Sequence, residues 1–173
     1  RLYDLTTLQR ECNRIYGYTA QQTLDYVQSL YEKKLATYPR TDSQYLTEDM
    51  QATAASLVLW LRDYMPFGKG CTGEPDIDRV TDGSKVTDHH AIIPTVEIAR
   101  TDLSELPSGE RDVLTLIAAR LLSATVQAHR FEAVTAVLDC QGNSFTAKGK
   151  TVLQAGWKEV ERLYRMGLKE SKP

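Results

Sequence analysis

Residues 19–46 read TAQQTLDYVQSLYEKKLATYPRTDSQYL, and the rest of the chain can be laid out from them. Thr19 followed three residues later by Gln22 is a capping box, so a helix starts here. Leu24, Val27, Leu30 and Tyr31 then recur at helical spacing and carry that helix towards KKLATYPR. Pro39 disfavours helical backbone at Tyr38 and pushes it extended. In extended chain, positions i and i+2 share a face, which would set the Tyr38 phenol beside the Arg40 guanidinium. A guanidinium grips phosphate oxygens bidentately and stabilises developing negative charge. A phenol, with an ordinary pKa of about 10, needs such a cation, a base or a metal to attack at neutral pH. On spacing alone the plainer reading stands beside this one: Tyr38 as a half-buried aromatic after a helix, with Arg40 and Asp42 as a surface ion pair of little energetic value.

Working outward, Thr6 and Gln9 repeat the capping-box spacing, Leu8, Cys12 and Ile15 supply an apolar helical face, and Gly17 ends it. After Tyr38, the positions Met50, Ala54, Leu57, Val58, Leu61 and Tyr64 predict a third amphipathic helix capped by Thr47 and stopped at Pro66-Phe67-Gly68. Residues 66–109 are rich in Gly, Pro and Asp and read as a long irregular connection, a length that calls for a functional reason. Val113, Leu114, Ile117, Ala118, Leu121, Leu122 and Thr125 mark a fourth helix over 108–129, with Ser108 as its cap. From Phe131 the period changes to alternation, Val134, Ala136 and Leu138 against Thr135, Val137 and Asp139, and Gly142-Asn143 turns this strand into a second, FTAKGK. Two strands are marginal alone and need helices or further sheet to dock on. Trp157, Val160, Leu163 and Tyr164 predict a closing helical turn. The fold class is α+β, mainly helical with a short antiparallel β segment.

Composition narrows the function classes. The 173 residues are long enough for one sizeable domain, or a domain plus part of another, and a net charge of −2 excludes a global basic field, so any nucleic-acid contact must be local. Cys12, Cys71 and Cys140 are odd in number and far apart, without zinc-ligand or disulfide spacing, which suits a reducing cytoplasm. No apolar run approaches the roughly 20 residues of a membrane span. The start at Arg1 and the polar KESKP at the other end read as cuts within a longer polypeptide.

Two strings together carry a resemblance. TYPRTDS at 37–43, embedded in LTTLQRECNRIYGYTAQQTLDYVQSLYEKKLATYPRTDSQYLTEDM at 5–50, is similar to the active-site region of type IA DNA topoisomerases, with the proline typical of the topoisomerase III branch. VTDHHAIIPT at 86–95 resembles that family's H-x-A-I-x-P motif. The resemblance implies that Tyr38 is the nucleophile and that Arg40 orients and stabilises the phosphate. It places His89 near the scissile phosphate, and Arg40, Thr41, Ser43 and His89 at the DNA. An imidazole can donate to phosphate and change charge near neutral pH. Without the family context His89 is a solvated loop residue, and His90 reads as structural. Adjacent histidines are poor zinc geometry.

The resemblance further implies a helical, tyrosine-bearing gate domain at 1–130 and part of a β-rich arch at 131–173. It implies single-stranded DNA as substrate and a metal-binding Toprim domain as neighbour in the same polypeptide. Magnesium would be held there, by ligands outside this chain, and the fragment alone would be inactive. Asp76-Ile77-Asp78 imitates the family's D-x-D pair but lacks a preceding apolar strand to hold it, so it reads as a solvated loop, and no metal is expected in this chain. A non-catalytic helical module binding single-stranded DNA through Tyr38, Arg40 and Lys34 is the alternative reading.

Overall fold

The computed structural model describes residues 1–71 and 73–170. Helix α1 spans Leu5–Tyr16, α2 Ala20–Glu32, α3 Gln51–Tyr64, α4 Ser108–Thr125 and α5 Trp157–Glu170, while β1 (Arg130–Cys140) and β2 (Asn143–Gln154) form one antiparallel hairpin. The Thr19 and Gln22 capping box of α2 is present as expected, each side chain accepting from the other's backbone N–H. The box of α1 sits two residues earlier than the sequence reading: Asp4, in extended backbone, accepts from Thr7 N at 2.6 Å, and Thr6 lies inside the helix. Both pairs have the required spacing, and only the backbone entry angle chooses between them. Gly17, at φ 77°, closes α1 in the left-handed conformation.

Thr47 does not cap α3. It precedes a 3-10 turn, Glu48–Met50, and makes no capping hydrogen bond. Ser108 is likewise the first residue of α4 rather than its cap, with Pro107 before it, and α4 ends at Thr125 instead of 129 because Val126 turns extended to feed β1. Short apolar residues run round nearly the whole of α4, and Val113, Leu114, Leu116, Ile117, Ala118, Leu121 and Leu122 are all buried. An all-round apolar helix belongs at the centre of the core, where α4 packs against α2, α3 and α5. Each large side chain buried there contributes up to about 1.5–3 kcal/mol. The α2–α4 approach needs Gly109: a Cβ there would lie 2.3 Å from the Tyr26 ring. Glu110, in the first turn of α4, accepts from Ser29 at 2.8 Å and from Lys33 at 2.5 Å, tying the same two helices.

The connection 66–107 is irregular, as expected, and it is also packed. It is a chain of 3-10 turns with Phe67, Val80, Ala91, Ile92, Ile93 and Ile98 buried. The closing turn grows into the full helix α5, which docks on α4 and on the Pro66–Gly70 turn. Val160 and Tyr164 are buried there, Tyr164 edge-on to Phe67 and hydroxyl to hydroxyl with Tyr16.

The hairpin turns on Gln141-Gly142, one residue before the expected Gly142-Asn143. Both have positive φ, 52° and 79°, as a two-residue type I′ turn demands. Its register puts Val134, Ala136 and Leu138 opposite Gly149, Ala147 and Phe145 on one face, while Thr135 and Ala133 meet Lys148 and Lys150 on the other. The alternation read from the sequence therefore holds, but both faces stand in solvent.

Candidate active site

Tyr38 stands six residues beyond the end of α2, and the chain reaches it through a reversal at Lys34. There the backbone turns left-handed, φ 63°, a conformation uncommon outside glycine. Lys34 N–H donates to Tyr31 O, Leu35 N–H to Leu30 O, and the Lys34 carbonyl accepts from the Thr95 hydroxyl. The chain then runs alongside residues 91–95: Thr37 N–H donates to Ile93 O at 3.0 Å, Thr95 N–H to Leu35 O at 3.0 Å, and the Thr37 hydroxyl accepts from Ile93 N and donates to Ala91 O. Ala91, Ile92 and Ile93 are the apolar plug that seats this pairing in the core, so the histidine loop before them is carried to Tyr38.

The result is a close aromatic group. The Tyr38 and His89 rings lie 4.3 Å apart, centre to centre, tilted by 43°. Tyr31 meets the Tyr38 ring edge-on at 5.3 Å and 76°. Tyr38 is half-buried through its ring, and its hydroxyl has no hydrogen-bond partner among the described residues.

The segment after Tyr38 is not the straight strand read from Pro39. The chain bends there, and Thr41 N–H donates to Pro39 O at 3.0 Å, closing a tight turn about Arg40. Arg40 is exposed, and among the described residues no ion pair joins it to Asp42 or to any other carboxylate. Arg40, Thr41, Asp42 and His89 line a cavity of about 410 Å3 with Leu5 and Thr6 of the first turn of α1. His89 thus belongs to both halves of the site, its ring close to Tyr38 and the residue itself lining the cavity with Arg40.

Thr41 and Ser43, placed at the DNA by the sequence reading, are buried, and their hydroxyls are engaged inside the protein. Thr41 donates to the His89 carbonyl at 2.7 Å, and Ser43 to the Lys85 carbonyl at 2.8 Å. They brace the loop 85–89 against the tyrosine segment. His90 is half-buried, its Nδ1 2.8 Å from Ala91 O. Asp76 is paired with Arg79 at 2.9 Å, Asp78 accepts from Gln51 at 3.0 Å, and among the described residues no three His, Cys, Asp or Glu side chains are grouped to hold a metal. The residues present therefore do not fit a magnesium site.

Four other tyrosines differ in kind. Tyr3 accepts from Arg120, Tyr18 donates to Asp112 at 2.7 Å, and Tyr16 and Tyr164 share a hydrogen bond. Burial drives the ionisation of all four phenols well above the ordinary phenol value.

A family model described as DNA topoisomerase matches residues 1–172. The chain belongs to the type IA DNA topoisomerase family. It is 40% identical over 164 residues to DNA topoisomerase 3 of Bacillus cereus, covering 92% of this chain and 22% of that protein. It is also 40% identical over 165 residues to DNA topoisomerase 3 of Bacillus subtilis, with the same coverage. It therefore spans about a fifth of the length of these curated relatives. A full-length topoisomerase I from Thermotoga maritima has the same fold over 92% of this chain and 26% of its own, with a TM-score of 0.66 at 23% identity. Within this type IA topoisomerase segment, Tyr31 and the first turn of α1 were not singled out from sequence. Tyr31 looked like one more position on the apolar face of α2, and nothing in a non-glycine Lys34 announced the reversal that folds Tyr38 back onto it.

Proposed function

We propose that this chain is the tyrosine-bearing part of an ATP-independent type IA topoisomerase, with Tyr38 as nucleophile on single-stranded DNA. The Tyr38 oxygen attacks a backbone phosphorus, forming a 5′-phosphotyrosyl bond as the bond to the 3′-oxygen breaks. The phenol loses its proton and the departing 3′-oxygen gains one, leaving a 3′-hydroxyl. One phosphate ester is exchanged for another, so reversal by that hydroxyl needs no external energy source. The observation that carries this reading is a phenol with a free hydroxyl against an imidazole, beside an unpaired guanidinium, in a chain that matches the family from end to end.

Arg40 is the anion clamp, and His89 holds the ring and donates towards phosphate. Thr41 and Ser43 position the histidine loop. Magnesium, held by acidic ligands outside this chain, would supply charge neutralisation in the complete enzyme. The opening that strand passage needs comes from this helical unit lifting from a Toprim domain of the same polypeptide. The hairpin 130–154, with Val134, Ala136, Leu138 and Phe145 on one solvent-exposed face, is the part that joins the arch, so the division near residue 130 is where the gate domain hands over to it. The setting is the bacterial cytoplasm, supported by bacterial relatives and three unpaired cysteines. No helix among the described residues is long and apolar enough to cross a membrane.

The test uses the full-length protein and a single-stranded oligonucleotide labelled at its 3′ end, the end that a 5′-phosphotyrosyl link retains on the protein. A labelled adduct is expected, lost in Tyr38→Phe. An adduct that survives in Tyr38→Phe moves the nucleophile elsewhere, and binding without any adduct leaves a non-catalytic module.

A further inference from the structure

Resting on the reading of Tyr38 as nucleophile, we infer that Tyr31 is a positioning residue for it. A phenol that must attack phosphorus in line needs its ring held in one orientation, since a small misplacement of a reacting atom costs rate. No hydrogen bond fixes the Tyr38 hydroxyl among the described residues, so the packing of the ring helps set its direction. Two aromatic rings meet that ring among the described residues. His89 lies on the ring at 4.3 Å, but it is carried by an exposed loop. Tyr31 meets the ring edge-on at 5.3 Å from the last turn of α2, a rigid element. Edge-to-face is a favoured arrangement of aromatic rings, positive edge on negative face.

The placement of Tyr31 is built in. Lys34 in its left-handed turn donates to the Tyr31 carbonyl, and the Thr95 hydroxyl holds the Lys34 carbonyl. The same reversal therefore fixes Tyr31 and brings Tyr38 back over it. Tyr31 is also 40% exposed, which an aromatic serving only the core would not be. It offers the nucleophile a ring and no hydrogen bond, so phenylalanine serves as well as tyrosine.

The test is single-turnover adduct formation by the full-length protein on the 3′-labelled oligonucleotide at saturating DNA, with oligonucleotide affinity measured separately. Tyr31→Ala is expected to slow adduct formation about 3- to 10-fold, the equivalent of one edge-to-face pair, with affinity unchanged. Tyr31→Phe is expected to restore the rate. Circular-dichroism melting confirms that the variants fold, and Tyr31→Leu, which keeps apolar bulk without an aromatic edge, serves if alanine does not. A wild-type rate in Tyr31→Ala, an equal loss in Tyr31→Phe, or a loss residing wholly in affinity overturns the inference. Tyr38→Phe in parallel separates the two failures: an adduct there sinks the nucleophile assignment, whereas its absence beside a fast Tyr31→Ala sinks only the role of Tyr31.

Discussion

The molecule holds two groups of tyrosines that share an element and differ in use. Between the end of α1 and the start of α4, Tyr16 stacks on Tyr18, Tyr26 meets Tyr18 edge-on and Tyr164 joins Tyr16 through its hydroxyl, so the hydroxyls of Tyr16, Tyr18 and Tyr164 are engaged. At the end of α2, Tyr31 and Tyr38 meet in much the same ring geometry, yet the Tyr38 hydroxyl is left free. In the first group Tyr16, Tyr18 and Tyr164 stabilise the fold with both ring and oxygen, and Tyr26 with its ring. In the second the ring is held and the oxygen is available. A nucleophile needs this division of labour, because an oxygen already bonded and buried has neither the access nor the ionisation that attack requires.

The comparison breaks most visibly at the hydroxyls. Tyr38→Phe should abolish the labelled adduct while leaving the melting curve of the chain unchanged. Tyr164→Ala should do the reverse to stability, costing about 3–5 kcal/mol as a large buried ring leaves a cavity between α5, Phe67 and Tyr16, read by urea unfolding. Stability loss below about 1 kcal/mol would mean that α5 is not docked as described. On the proposed reading of Arg40 as the phosphate clamp, Arg40→Ala should lower adduct formation about 100-fold with little effect on stability, since an exposed guanidinium without an ion pair adds little to the fold.

Alkaline pH sharpens the contrast. Burial pushes the Cys12 thiol up to about 12 and holds the Tyr16 and Tyr164 phenols well above their ordinary range. The unfolded chain releases these protons near the ordinary thiol and phenol values of about 8.5 and 10, and the folded chain retains them. The folded state then binds more protons, so stability falls as pH rises from about 8.5 onward. Urea midpoints that stay flat between neutral and strongly alkaline pH would contradict the burial. The smallest effect is expected at Thr41→Val, which removes the hydroxyl that braces His89 and should cost about 1 kcal/mol of stability with a measurable slowing of adduct formation.

Much of the fold was open to reading because its signals are local. The α2 capping box, the Gly17 stop, the apolar stripe of α4 and the alternation from Phe131 each depend on neighbours within a few residues. Where two local signals competed, backbone direction chose between them, as at Asp4 against Thr6 and Gln141 against Asn143. The extent of α5 was under-read because its long polar face masks the stripe of Trp157, Val160, Leu163 and Tyr164, and only docking on α4 reveals the helix as part of the core.

The same division runs through the site. By itself the amino-acid order determined which side chains can do chemistry: a tyrosine before a proline, an arginine two residues on, a histidine in a second motif some fifty residues later. Tertiary structure alone decided their arrangement. It set His89 rather than Arg40 on the Tyr38 ring, turned Thr41 and Ser43 inward as braces, and brought Tyr31 round as the third wall. The reason is that residue type sets what a group can donate, accept or attack. Distance between groups far apart in the chain is set by the hydrogen-bonded pairing of 35–37 with 93–95 and the burial of Ala91, Ile92 and Ile93, and neither is a local property.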